Sequence, residues 1–123
     1  MIHFDTNFLI ETVVAGSAAH VKFRGWMQAQ EDCNASVIAW AEFLCGPLDA
    51  RAEAIARQIF PHPESFLPGD AALAASLFNQ TGRRSRSLAD CMIAAVAMRC
   101  GAKLATRNTA DFQPLLPYGL MLA

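Results

Sequence analysis

Four acidic residues, Asp5, Glu42, Asp90 and Asp111, sit where the chain passes from one kind of element to another. Asp5 follows the short apolar run Met1–Phe4 and precedes Phe8, Leu9, Ile10, Val13 and Val14 at helical spacing. It therefore stands at the carboxyl end of a strand, where open α/β sheets bind their ligands. Ser87-x-x-Asp90 and Asn108-x-x-Asp111 each put a capping residue three positions ahead of a carboxylate. By itself that spacing reads equally well as a capped helix start, and Asp5 or Thr6 reads equally well as a cap for the helix that follows. Glu42 interrupts the apolar stretch ASVIAWAEFLCG, where its helical neighbours offer no cation. An ionised carboxylate in such surroundings needs a partner, unless it lies at a solvated helix edge.

In a parallel sheet the connection rules allow Asp5 and Thr106, at strand ends, to meet Asp90 and Asp111, at helix starts, along one edge, and if Glu42 joins them the site holds four carboxylates. Such a cluster repels itself unless a divalent cation neutralises it. All-oxygen ligation selects Mg²⁺ or Mn²⁺ over zinc, and a pair of such ions activates water and stabilises the leaving oxygen of a phosphodiester. The chemistry that follows is hydrolysis of a nucleic-acid backbone.

The elements that must position these groups are read from periodicity. Helices are expected over His20–Gln30, with Val21, Phe23, Trp26 and Met27 on a buried stripe, and up to Leu44 after a short strand over Asn34–Ile38. Gly46-Pro47 ends the latter helix. Leu48–Phe60 is an amphipathic covering helix, Ser65–Leu67 a short edge strand closed by Pro68-Gly69, and Asp70–Gln80 a helix with Leu73, Leu77 and Phe78 inward. The apolar helix from Ser87 turns at Gly101 into a buried strand ending at Thr106, and Leu120–Leu122 supplies a last edge strand. Helices alternating with short apolar strands define an α/β/α sandwich with a short, mostly parallel sheet. At 123 residues the chain is expected to form one domain over 1–123.

A net charge of −1 gives no global attraction to nucleic acid, so binding has to come from a local basic patch. Arg83, Arg84 and Arg86 form one beside a helix start, and Arg107 adjoins the fourth acid. The same arginine loop could equally face solvent or the acids of a partner protein. The four cysteines show no C-x-x-C pairing and read as reduced thiols of a cytoplasmic protein. No membrane-spanning run or export signal is visible, and His3, His20 and His62 lack partners at metal-ligand spacing.

MIHFDTNFLI, the lone Glu42 in WAEFLCG, SLADCMIAAVA and LATRNTADF fall in the order and approximate spacing of PIN-domain proteins. Nearly the whole chain resembles the VapC-like toxins of bacterial toxin–antitoxin pairs. The resemblance implies an endoribonuclease dependent on Mg²⁺ or Mn²⁺, with Asp5, Glu42, Asp90 and Asp111 matching the acidic quartet. It matches Asn7 to the polar position after the first acid, and Thr106 and Asn108 to those before the fourth. Asn108 stands where some members carry a further acid. The resemblance also implies a homodimer and a cognate antitoxin that covers the groove. On this reading Asp5, Asp90 and Asp111 hold metal, Glu42 is a ligand or orients water, and Arg83, Arg84, Arg86 and Arg107 contact RNA. Two other classes compete: a non-catalytic interaction module whose acids are caps, and a phosphatase with Asp5 as nucleophile, which would want an acid where Asn7 stands.

Overall fold

The computed structural model describes residues 1–123. Its frame is a three-stranded parallel sheet of β1 (Ile2–Phe4), β2 (Cys33–Ala35) and β3 (Lys103–Ala105), with β1 in the middle. Ile2 lies opposite Cys33 and Lys103, and Phe4 opposite Ala35 and Ala105. All of β1 is buried, as a parallel strand covered on both faces must be. Because the order is β2-β1-β3, the chain leaves β1 toward one side and reaches β3 on the other. The carboxyl ends of β1 and β3 therefore flank the point where the order switches, and a crevice is expected there.

Helices α1 (Thr6–Thr12), α2 (Ala18–Gln28), α3 (Val37–Cys45), α4 (Ala50–Ile59), α5 (Pro68–Gln80), α6 (Leu88–Arg99) and α7 (Thr109–Phe112) surround the sheet. A 3₁₀ segment over Gln113–Tyr118 follows. Ser17, Ser36 and Asp49 cap α2, α3 and α4 by accepting from backbone N–H groups in their first turns. Helix α6 is buried along Cys91 and Ile93–Ala97, all apolar and mostly small, so it passes close beneath the sheet. Gly101, at φ 64°, makes the left-handed turn from α6 into β3. On the other face Phe4 packs edge-on against Phe8, Phe23 and Phe60, with centroids 4.9, 5.8 and 5.2 Å away.

Several sequence expectations are corrected. Val21 and Met27 are 62% and 54% exposed, and the inward stripe of α2 is Ala19 and Phe23 with Trp26 packed alongside. Val37 and Ile38 open α3 rather than extend β2, because Ser36 caps a helix there. Neither edge strand forms: Ser65–Leu67 makes no bridge, the isolated bridge there being Glu64 with Ser36, and Leu120–Leu122 supplies only the bridge of Leu122 with Leu104. Pro68 and Gly69 belong to the first turn of α5, whose Asp70 carboxylate accepts from the Leu67 N–H at 2.9 Å. That carboxylate, 2% exposed, also accepts from Arg99 Nε at 2.9 Å, while Arg99 reaches Glu64 and the Ser65 carbonyl. The ion pair fastens the end of α6 to the start of α5, and so fixes α6 under the sheet.

Candidate active site

Asp5 leaves the end of β1 as the N-cap of α1, so its role as a cap and its place at the strand end are the same fact. One carboxylate oxygen accepts from the Phe8 N–H at 2.8 Å and the other from the hydroxyl of Thr106, just beyond β3. Thr106 Oγ1 in turn accepts from the Asn108 N–H at 2.9 Å. The two strand ends are thus stitched together through a buried carboxylate. Burial is the main cause raising the Asp5 pKa; the Thr106 and Phe8 hydrogen bonds pull it down, and the charges of Glu42 and Glu11 push it up again.

Asp90 and Asp111 do not serve capped helices. Ser87 has a right-handed helical conformation and makes no cap; its hydroxyl donates instead to the Arg84 carbonyl at 2.8 Å. Asn108 makes no side-chain cap either, and α7 is only four residues long. The capping expectation for both sites is therefore overturned, and both carboxylates stand free in the first turns of α6 and α7. The Asp90 pKa rises from 3.8 to about 6, chiefly through burial and then through the charges of Asp111, Glu42 and Asp5, with Arg84 opposing.

Glu42 is exposed on α3 and not enclosed by its apolar neighbours, because α3 turns this face to the crevice. Its partner is the hydroxyl of Thr6, which donates to Oε1 at 2.6 Å. Asp5, Thr6, Asn7, Glu42, Asp90, Asn108 and Asp111, with Phe112 as the one apolar wall, line a single cleft of about 130 Å³. The structure therefore brings together all four acids together with Asn7 and Asn108, and Thr106 braces the cleft from behind. Thr6 and Phe112 were missed; a hydroxyl directly after the first acid was the only sequence signal for the former.

The arginines separate. Arg83 folds back on Asn79 and over the Phe78 ring, 5.1 Å from its centroid. Arg107 pairs with Glu11 at 3.2 Å and does not line the cleft. Arg84 and Arg86, with Ser85 and Ser87, line an adjoining pocket of about 140 Å³ that shares Asp90 and Asp111 with the acidic cleft.

The cleft offers oxygen donors and no cation of its own. No three of the carboxylates converge closely enough to make a finished cage. That spacing fits an ion held by one or two carboxylates while keeping part of its water shell, the habit of Mg²⁺, better than it fits a dehydrated structural ion.

An α/β domain with a carboxylate cleft at the switch point of a parallel sheet is the class that fold and site define. Residues 2–113 match the family model of the PIN domain, and the chain belongs to that family. No curated protein sequence matches it. Among solved structures it is similar to a chain of a toxin–antitoxin complex from Klebsiella pneumoniae, at 25% identity over 92% of this chain and 91% of that one, with a TM-score of 0.74. The fold is shared with a chain of VapBC2 from Rickettsia felis bound to a promoter DNA fragment, at 14% identity, 100% and 98% coverage and a TM-score of 0.72. It is shared too with a chain of FitAcB from Neisseria gonorrhoeae, at 23% identity, 99% and 96% coverage and a TM-score of 0.72.

Proposed function

We propose that this PIN-domain protein is an endoribonuclease dependent on Mg²⁺ or Mn²⁺, and that it is the toxin of a toxin–antitoxin pair. The observation that carries the reading is the convergence of Asp5, Glu42, Asp90 and Asp111 on one cleft with no cation inside it. Carboxylates brought together without a cationic protein partner are costly in a protein that makes no use of them. One or two of Asp5, Asp90 and Asp111 would hold the ion directly and the rest through its water shell, with Glu42 as a further such contact or as the acceptor for a water proton. When bound, the cation supplies neutralising charge, polarisation of a phosphoryl oxygen and activation of water at neutral pH. The chain's own contribution is positioning. Thr106 and Phe8 fix the Asp5 carboxylate from two directions, and Thr6 restrains Glu42 on the opposite wall.

The phosphatase alternative loses ground, since both Asp5 oxygens accept hydrogen bonds and Asn7 provides no second acid. The partner reading draws on the likeness to a chain of a toxin–antitoxin complex. An apolar groove of Val13, Phe23, Ile55 and Ile59 between α1, α2 and α4 offers an antitoxin segment a surface. A homodimer would cover some of the exposed Ile10, Val14, Leu44 and Met121 side chains. No helix is long and apolar enough to cross a membrane.

Calorimetric titration with Mn²⁺ tests the site. Wild type is expected to bind and Asp90→Asn to bind at least about tenfold more weakly, the scale of one lost charged contact. Absence of binding by wild type would return the acids to the interaction-module reading.

A further inference from the structure

The pocket beside the acidic cleft is lined by Arg84, Ser85, Arg86, Ser87, Asp90 and Asp111, with no apolar residue among them. Neither Arg84 nor Arg86 belongs to an ion pair; the pairs on the molecule involve the N-terminus, Arg57, Arg99 and Arg107. Arg84 spends one N–H on the Asp111 carbonyl at 3.1 Å, which holds its guanidinium against the start of α7 and leaves its other donors free. Arg86 adopts φ 66°, a conformation that glycine would take at less cost, and its side chain forms a wall of the same pocket. The two pockets meet along Asp90 and Asp111.

We propose that Arg84 and Arg86 form a subsite for one backbone phosphate of a single-stranded nucleic acid, next to the phosphate at the carboxylates, on the α6–α7 side of the cleft. The proposal rests on the nuclease reading and adds where the chain runs past the acids. Guanidinium forks and the Ser85 hydroxyl are donors suited to phosphate oxygens, the Ser87 hydroxyl being given to the Arg84 carbonyl. An all-polar lining without an aromatic ring gives no platform for a base, so this contact fixes register on the backbone without reading sequence. Arg83 and Arg107, turned to other partners, have no part in it. The positive charges also offset the repulsion that Asp90 and Asp111, lining the same pocket, exert on an incoming phosphate.

Two measurements on the full chain test it. In the first, backbone amide resonances are followed by ¹⁵N NMR during titration with tetrauridylate at low salt with EDTA, where no metal-dependent cleavage occurs. Shifts are expected at Ser85, Arg86 and Ser87 in wild type, weakened about tenfold or more in Arg86→Gln, which breaks no hydrogen bond in the fold. Wild-type resonances that stay still at these residues would overturn the subsite whether or not the protein cleaves RNA. In the second, cleavage of a single-stranded RNA oligonucleotide in Mn²⁺ is followed at several salt concentrations. Arg84→Gln and Arg86→Gln are expected to raise KM about tenfold with kcat changed less than about twofold, and to reduce the salt slope by about 0.7, one phosphate's share. Lys22→Gln, on the exposed side of α2, is expected to match wild type. If wild type cleaves and both arginine variants keep its KM, the subsite is wrong and the nuclease stands. If wild type does not cleave, the nuclease reading fails and the NMR titration still decides the phosphate site.

Discussion

Asp90→Asn should stabilise the metal-free protein near neutral pH, the reverse of what a helix-capping residue would do. Asp90 has a pKa raised from 3.8 to about 6, a rise of roughly two units. At about 1.4 kcal/mol per unit the ceiling on the cost of ionising it in the fold is about 3 kcal/mol. The side chain is only partly buried, so solvent screening cuts this to about 1–2 kcal/mol. A carboxylate in the first turn of α6 also gains a few tenths to about 1 kcal/mol from the helix dipole. The net cost is about 1 kcal/mol, or about 3 °C in melting temperature for a domain of this size. The sign follows from linkage. A raised folded pKa favours the protonated form, so the stability it contributes is present below the unfolded value of 3.8 and is lost as pH rises through about 6. Calorimetric melts in EDTA should therefore show the variant above wild type near neutral pH and level with it in acid below the ordinary carboxylate range. Excess Mn²⁺ should reverse the order, because a ligand that binds only the folded state raises the melting temperature of the protein that holds it. A variant less stable than wild type in EDTA near neutral pH, or a gap that ignores pH, would refute the reasoning and make Asp90 a structural residue.

Two other perturbations probe the frame around the cleft. Thr106→Val removes the hydroxyl donor to Asp5; losing a hydrogen bond to a charged group, worth about 1.5 kcal/mol, should raise the Asp5 pKa further and lower activity on the acid side of the profile. The acid limb of the pH–rate profile should move to higher pH, and an unmoved limb would remove Thr106 from its bracing role. His3 is 1% exposed, neither ring nitrogen has a partner, and burial lowers its pKa. His3→Leu should then be neutral or stabilising by up to about 2 kcal/mol in urea melts. It should also abolish the share of stability that wild type loses as pH falls through the ordinary histidine range; a loss above about 1 kcal/mol near neutral pH would contradict this.

Much of the site was legible because its residues sit at boundaries between elements. Asp5 after Phe4 and Thr106 after Ala105 mark strand ends, and the parallel pairing of β1 with β3 carries them to one edge. Local patterns misled where tertiary placement decided. Ser87-x-x-Asp90 has the form of a cap, yet the arginine loop enters with Arg86 left-handed and Ser87 already helical, so the hydroxyl bonds backward to Arg84. The apolar neighbours of Glu42 left burial with a partner and a solvated helix edge both open; the side chain is exposed, and its partner, Thr6, reaches it from another helix across the crevice. The pairing of Arg107 with Glu11 joins positions that no spacing rule connects, while Arg83 reaches back four residues to Asn79 across the end of α5. Arg107 is close to the fourth acid in sequence yet outside the cleft, whereas Arg84 and Arg86 stand at its margin.

The most direct measurement is RNA cleavage by the purified chain, freed of any bound partner, on a mixed pool of structured RNAs in Mn²⁺, in Mg²⁺ and in EDTA, beside Asp5→Asn prepared identically. The carboxylate cleft predicts cleavage by wild type that requires metal and disappears in the variant, with the variant still folded. Equal cleavage by both proteins, or cleavage that persists in EDTA, would contradict it.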